Sequence, residues 1–161
     1  MIEFTMVGIP LMFVLISIVE MSRGMWIYHS LAHAVKEGAR YTIVHGQNYT
    51  AITGSSNTIQ NVCNVIVNAG PGLISTQLSL TFTSDTTNAT YTANNCPTTA
   101  WPPGATGANP NIIDNEPGEN ITITATYPFQ SAISMFWPGK TKGMQVPTIT
   151  FPAGSTEMMQ F

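Results

Sequence analysis

From Phe4 to Val19 the chain reads FTMVGIPLMFVLISIV, an apolar run bounded by Glu3 and Glu20 with no charged residue between them. At 1.5 Å per residue a helix through this run is about 24 Å long, somewhat short of the ~30 Å hydrocarbon core of a bilayer. Met21, Met25, Trp26 and Ile27 lengthen the apolar body, so one membrane crossing is expected. The competing reading of an apolar N-terminus is a cleaved secretory signal. That reading wants a basic n-region and a small-x-small exit before Glu20, and the sequence offers neither.

Outward from this run, the residues from Glu20 to His45 keep helical periodicity, with Ile27, Leu31, Ala34, Gly38 and Thr42 on one stripe. Glu20 and Arg23 stand three apart, as do Glu37 and Arg40, while Lys36 and Arg40 form a like-charged pair four apart; all are weak terms. Gly24, Ala32, Ala34, Gly38 and Ala39 are small enough to let another backbone approach, so Gly24, Leu31, Ala34 and Gly38 are the candidate helix-packing positions. Residues 2–45 as one rod are about 66 Å long, more than residues 46–161 need for a core of their own. The surplus length calls for partners.

Two residues inside the rod break helix rules. Gly8 costs about 1 kcal/mol relative to alanine, and Pro10 removes a backbone bond and crowds the preceding turn at roughly 3 kcal/mol. A kink or local unwinding over residues 6–10 is expected, either as a flex point or as a proline of the kind membrane helices tolerate. Glu3 is equally unusual, since a carboxylate drawn into hydrocarbon costs about 2.5–3.5 kcal/mol. Arg23 is about 30 Å away along a helix, which leaves an α-amino group or water as its partner. A site at the membrane interface, favoured by the positive helix N-terminus, explains Glu3 equally well.

The rest of the chain reads as a small α+β domain. Ser55 or Ser56 can cap a helix through TIQNVCNVIVNA (residues 58–69), which Gly70-Pro71-Gly72 ends. Alternation over Ile74–Phe82, Ile121–Tyr127 and Val146–Phe151 predicts three or four antiparallel strands. Residues 83–119 are dense in Thr, Asn, Pro and Gly and predict a long loop. The expected division is a helix over 1–45 and a globular domain over 46–161. Cys63 and Cys96 admit two readings: a disulfide closing a long loop, stabilising by about 3–4 kcal/mol in an oxidising compartment, or two separate buried thiols. Asn48, Asn88 and Asn120 each begin an N-x-T triplet and are candidate glycosylation acceptors, although such triplets arise by chance in a chain this rich in Asn and Thr.

Composition and motifs narrow the chemistry. Across 161 residues only 8% are charged and the net charge is −3, which argues against nucleic acid as a partner. His29, His33 and Glu37 share a helical face, but without a full H-E-x-x-H pattern packing is the stronger reading, and no metal or other cofactor is expected. Gly139-Lys140-Thr141 lacks the first glycine of a phosphate-binding loop, where Ser134 stands instead. No G-x-S-x-G elbow marks a nucleophile, and no catalytic activity is expected. Residues 46–161 hold only seven charges (Asp85, Asp114, Glu116, Glu119, Lys140, Lys142 and Glu157), so contacts between copies would rest on hydroxyls, amides and apolar patches.

Taken together, the Glu3-Phe4 pair, Pro10, the Glu20-x-x-Arg23 step and the block AVKEGARY (residues 34–41) resemble the N-terminal module of the TadE-like family, pilins of the tight-adherence branch of type IV pili. Residues 121–129 and 147–159 are loosely similar to that family's C-terminal strands. The resemblance implies a type IV pilin-like fold and an inner-membrane precursor that a prepilin peptidase cleaves. Assembly machinery then draws it into an extracellular filament of its own copies, with Glu3, Phe4 and Pro10 as assembly residues. In type IV pilins the corresponding glutamate pairs with the N-terminal amine of an adjacent subunit and lies slightly further from the mature N-terminus than Glu3 lies here. The expectation is therefore either a precursor with two further residues and a basic leader, or different processing. Arg23, Lys36 and Arg40 would favour the cytoplasmic side, so an extracytoplasmic domain needs a leader of greater positive charge. The function implied is a structural pilin, a low-abundance minor pilin that primes or caps assembly, or a membrane-anchored surface module that never polymerises.

Overall fold

The computed structural model describes residues 2–45, 58–84, 88–98, 118–131 and 148–160. Helix α1 spans Ile2–Val44, 43 residues, or about 64 Å. It runs through Pro10 without interruption, so the unwinding expected over residues 6–10 does not occur. A proline forfeits only its own backbone donor, here the bond to the Met6 carbonyl, and the bonds on either side carry the helix past it.

Helix α2 spans Ile59–Ala69 and presents Ile59, Val62, Cys63 and Ile66 to the core. Its N-cap is Thr58, whose hydroxyl accepts from the Asn61 backbone N–H at 3.3 Å. The cap expected at Ser55 or Ser56 is thereby corrected; those two residues lie outside the described ones. Threonine is a slightly poorer cap than serine, but Thr58 directly precedes the apolar face and so sets the start. The helix stops at Gly70, and Gly72 follows with φ +87°, a backbone that only glycine adopts without strain.

Four strands form one antiparallel sheet in the order β2-β1-β3-β4, where β1 is Ser79–Thr83, β2 Asn88–Thr92, β3 Asn120–Phe129 and β4 Ile149–Met158. The first strand begins at Ser79 rather than Ile74, because residues 74–77 close a turn in which the Gln77 N–H donates to the Ile74 carbonyl at 3.0 Å. Strand β2 and the short 3-10 turn Ala93–Asn95 lie inside the stretch expected to be loop. The last strand passes through Pro152 to Met158, which its edge position permits, since an edge proline need not donate to a ladder. Val146 and Pro147 lie outside the described residues.

One face of the sheet is a field of hydroxyls. Thr81 faces Thr90 with Oγ atoms 3.0 Å apart, and Thr122 faces Thr156 at 2.8 Å. The other face carries Leu80, Phe82, Ile121, Ile123, Ala125, Tyr127 and Ala153 onto the helices. The core closes against Leu31, Ala34, Val35 and Ala39 of α1, so the second half of the long helix belongs to the globular fold. Each fully buried Leu, Ile or Val there contributes roughly 1.5–3 kcal/mol. The architecture is α+β and pilin-like: a long N-terminal apolar helix, a short second helix, and an antiparallel sheet packed on the long helix.

Candidate functional site

The residues with most to say about function lie on α1, and the helix divides sharply. Before Glu20 it stands clear of the rest of the described protein: Phe4 is 82% exposed, Phe13 58% and Val19 66%. From Gly24 onward one face of it is packed. The free half is apolar all round, with mean hydropathy 2.1 over its most apolar eighteen residues and only 6% of that stretch buried, so it is long and apolar enough to cross a membrane. Its hydroxyls are also withdrawn, for Ser17 Oγ donates to the Phe13 carbonyl at 2.8 Å and Ser22 Oγ to the Ile18 carbonyl at 2.9 Å. Such back-bonding satisfies hydroxyls that would otherwise have to find a donor or acceptor in lipid.

Glu3, Phe4 and Pro10 all sit on this free half and are exposed. Gly24, Leu31, Ala34 and Gly38 sit on the packed half and are buried. The two groups are therefore held apart, one facing outward along the protruding tail and the other facing the protein's own domain. Gly38 faces α2, and a Cβ built there would overlap the Ile66 side chain. Four residues earlier Ala34 meets Gly70, whose own Cβ would lie 3.2 Å from that of Ala34. Gly24 is looser, since its Cβ would touch the Phe129 and Phe151 rings at 3.7 Å, ordinary contact.

The junction between the halves carries a set of contacts that local sequence reading missed. Arg23 reaches Gln130 and Phe129 at the end of β3, and its Nη1 is 3.5 Å from Glu20 Oε1. The Glu20–Arg23 spacing was visible in the sequence, but the partners 107 residues away were not. Two turns further along α1, Ser30 Oγ donates to the Pro71 carbonyl at 2.8 Å, fixing the turn that follows α2.

Cys63 and Cys96 are joined, which decides between the two readings of the cysteines. The bridge and a bond from the Gln60 N–H to the Pro97 carbonyl at 3.1 Å hold the segment after β2 onto α2. Asn88 and Asn120, at the first positions of β2 and β3, are both exposed; Asn48 lies outside the described residues, as does Gly139-Lys140-Thr141. His33 Nδ1 lies 3.3 Å from the Ala69 carbonyl and Glu37 binds Arg40 at 2.8 Å, so each has a packing or surface partner. Among the described residues no group of three or more His, Cys, Asp or Glu is placed to hold a metal ion.

An apolar tail of membrane length is thus continuous with a helix that packs under a small sheet. Residues 1–40 match the TadE-like protein family. The TadE-like segment thus takes in the whole free half of α1, the Glu20–Arg23 junction and the packed positions Leu31 to Ala39, and it ends one residue before Tyr41. The α2 helix and the sheet lie outside it. No curated protein and no solved structure matches the chain.

Proposed function

We propose that the chain is a structural pilin subunit. In this reading residues 1–45 supply, through their bare half, the inner-membrane anchor and later the filament core, while residues 46–161, packed on the other half, form the extracellular wall. The observation that carries the proposal is the bare apolar half of α1, whose run from Phe4 to Val19 the described protein leaves almost wholly uncovered. Water is a poor final environment for so much apolar area, at about 25 cal/mol per Å². Lipid covers it before assembly, and equivalent helices of neighbouring copies cover it afterwards. The TadE-like match over residues 1–40 supports pilus machinery as the partner, with a prepilin peptidase acting on the precursor. The disulfide supports an oxidising compartment for the domain.

Within that machinery two further readings differ in copy number and fate. A minor pilin would prime or cap the fibre, and a membrane-anchored surface module would never leave the bilayer. Negative-stain microscopy of surface filaments, with mass spectrometry of their main band, separates the three. The proposal expects this chain as the main band. A trace amount in filaments built of another protein would assign it the minor role, and recovery only from membranes would assign the anchored one.

A further inference from the structure

The end of the globular domain that faces the apolar tail is unlike its other end. Outside α1, the large apolar side chains exposed among the described residues are Ile74 at 52%, Ile149 at 54% and Met158 at 57%. Ile149 pairs with Phe129 at the tail-facing end of the β3–β4 ladder, where Phe129 also meets Gly24. Ile74 belongs to the turn following Gly72, and Gly72 lies against the Trp26 indole: a Cβ built on it would be 3.7 Å from Nε1. Trp26 itself is 64% exposed. Two of the three exposed residues therefore form, with Trp26, a collar around α1 at the level where the helix leaves the domain.

Among the described residues, charge is distributed in the opposite sense. Glu119 and Glu157, the charged residues of the described sheet region, lie by the Asn120–Met158 end of the ladder, away from the tail. Along α1, Lys36, Glu37 and Arg40 are likewise toward the far end, and among the described residues the charges at the collar are the mutually paired Glu20 and Arg23. The helix supplies the ruler. Glu3 to Arg23 is about 30 Å along α1, the thickness of a bilayer's hydrocarbon core, and Trp26 is one turn beyond. Tryptophan and aliphatic side chains at that depth suit the headgroup boundary, where an indole keeps its N–H among polar groups and its ring among acyl carbons.

We infer that the domain does not hang free above the membrane: before assembly its tail-facing end rests in the lipid headgroup region, with Ile74 and Ile149 in contact with acyl chains beside Trp26. The inference rests on the membrane-anchored stage proposed above and adds a second lipid contact to it. Arg23 and the uninterrupted α1 hold the collar at a fixed height, so the contact follows from how deep the tail is seated.

The test is fluorescence quenching by lipids brominated at defined depths, using the full chain in phosphatidylcholine vesicles with Trp101→Phe and Trp137→Phe in the background. Trp26 is read directly. With Trp26→Phe added, Ile74→Trp, Ile149→Trp, Phe13→Trp and Met158→Trp are read one at a time. Trp26 and the probes at positions 74 and 149 are expected to lose fluorescence with bromines near the headgroup, the probe at 13 with bromines deep in the chain, and the probe at 158 with neither. Quenching at 13 without quenching at 74 and 149 would overturn the collar and leave the anchor standing. An unquenched probe at 13 would remove the membrane stage and the collar with it. Shielding of 74 and 149 in filaments alone would assign them to a neighbouring copy, and that too overturns the inference.

Discussion

Arg23 Nη2 donates a hydrogen bond to the Gln130 carbonyl oxygen at 2.6 Å, joining the end of the apolar half of α1 to the end of β3 across 107 residues of sequence. The same guanidinium lies 5.0 Å from the centre of the Phe129 ring and 3.5 Å from Glu20. A charged hydrogen bond contributes about 1.5–3 kcal/mol when sheltered, and the side chain is 46% exposed, so solvent screening brings the set nearer about 1 kcal/mol. Arg23→Gln should leave the fold intact and loosen this end. Amide hydrogen exchange is expected to speed up at Tyr127, Phe129 and Phe151, with Ile121 at the opposite end unchanged. Uniform exchange across β3 would show that the clamp carries no local stability.

Gly38→Ala and Gly24→Ala should move stability in opposite directions although both replace a helical glycine. Alanine improves helix propensity by about 1 kcal/mol at either site. At position 38 the added methyl meets Ile66, and overpacking of this kind costs about 1–3 kcal/mol, so the clash outweighs the gain. At position 24 the nearest atoms are 3.7 Å away and the propensity gain stands. Thermal unfolding of the full chain in detergent checks the pair: the first variant should melt below the parent and the second at or above it.

The disulfide should be a stability term that reductant removes. Cys63 and Cys96 are 33 residues apart, and a loop of that size is worth about 3–4 kcal/mol in the loop-entropy model. Cys63→Ser is expected to lower the melting temperature, and reductant should lower that of the parent to a similar extent. Equal melting of the parent with and without reductant would show the bridge to be stabilising nothing.

Much of the fold was legible because the signals were local. The stripe from Ile27 to Thr42 needs only helical periodicity, and Ile121 to Tyr127 alternates cleanly because one face is buried and the other is not. What escaped notice was structure whose cause is elsewhere in the chain. Strand β2 reads NATYT and exposes much of both faces, so no hydrophobic alternation announces it; it forms because Leu80 and its neighbours offer a ladder. Ile74 looked like the start of a strand on hydrophobicity alone, whereas the positive φ of Gly72 and the turn at Gln77 delay the strand to Ser79. At the candidate site the tail could be read from composition, but the Arg23 clamp and the Ile74–Ile149 collar join residues far apart in sequence and became visible only in three dimensions.

Glu3→Gln tests the assembly reading of the tail. The lone carboxylate is exposed near the start of α1, and its neutral amide keeps the shape while removing the charge. Membrane insertion is expected to persist while incorporation into filaments falls, as measured by the yield of the chain in sheared surface fractions against its yield in membranes. Normal filament yield would count against any pairing of Glu3 with a neighbouring amine.

Because α1 passes from its bare half into the domain as one helix, the protein has no swivel at its waist. A sideways push on the sheet is handed to the tail as leverage over tens of ångströms, and a pull arrives there without slack. Whatever grips the tail therefore governs the posture of the head.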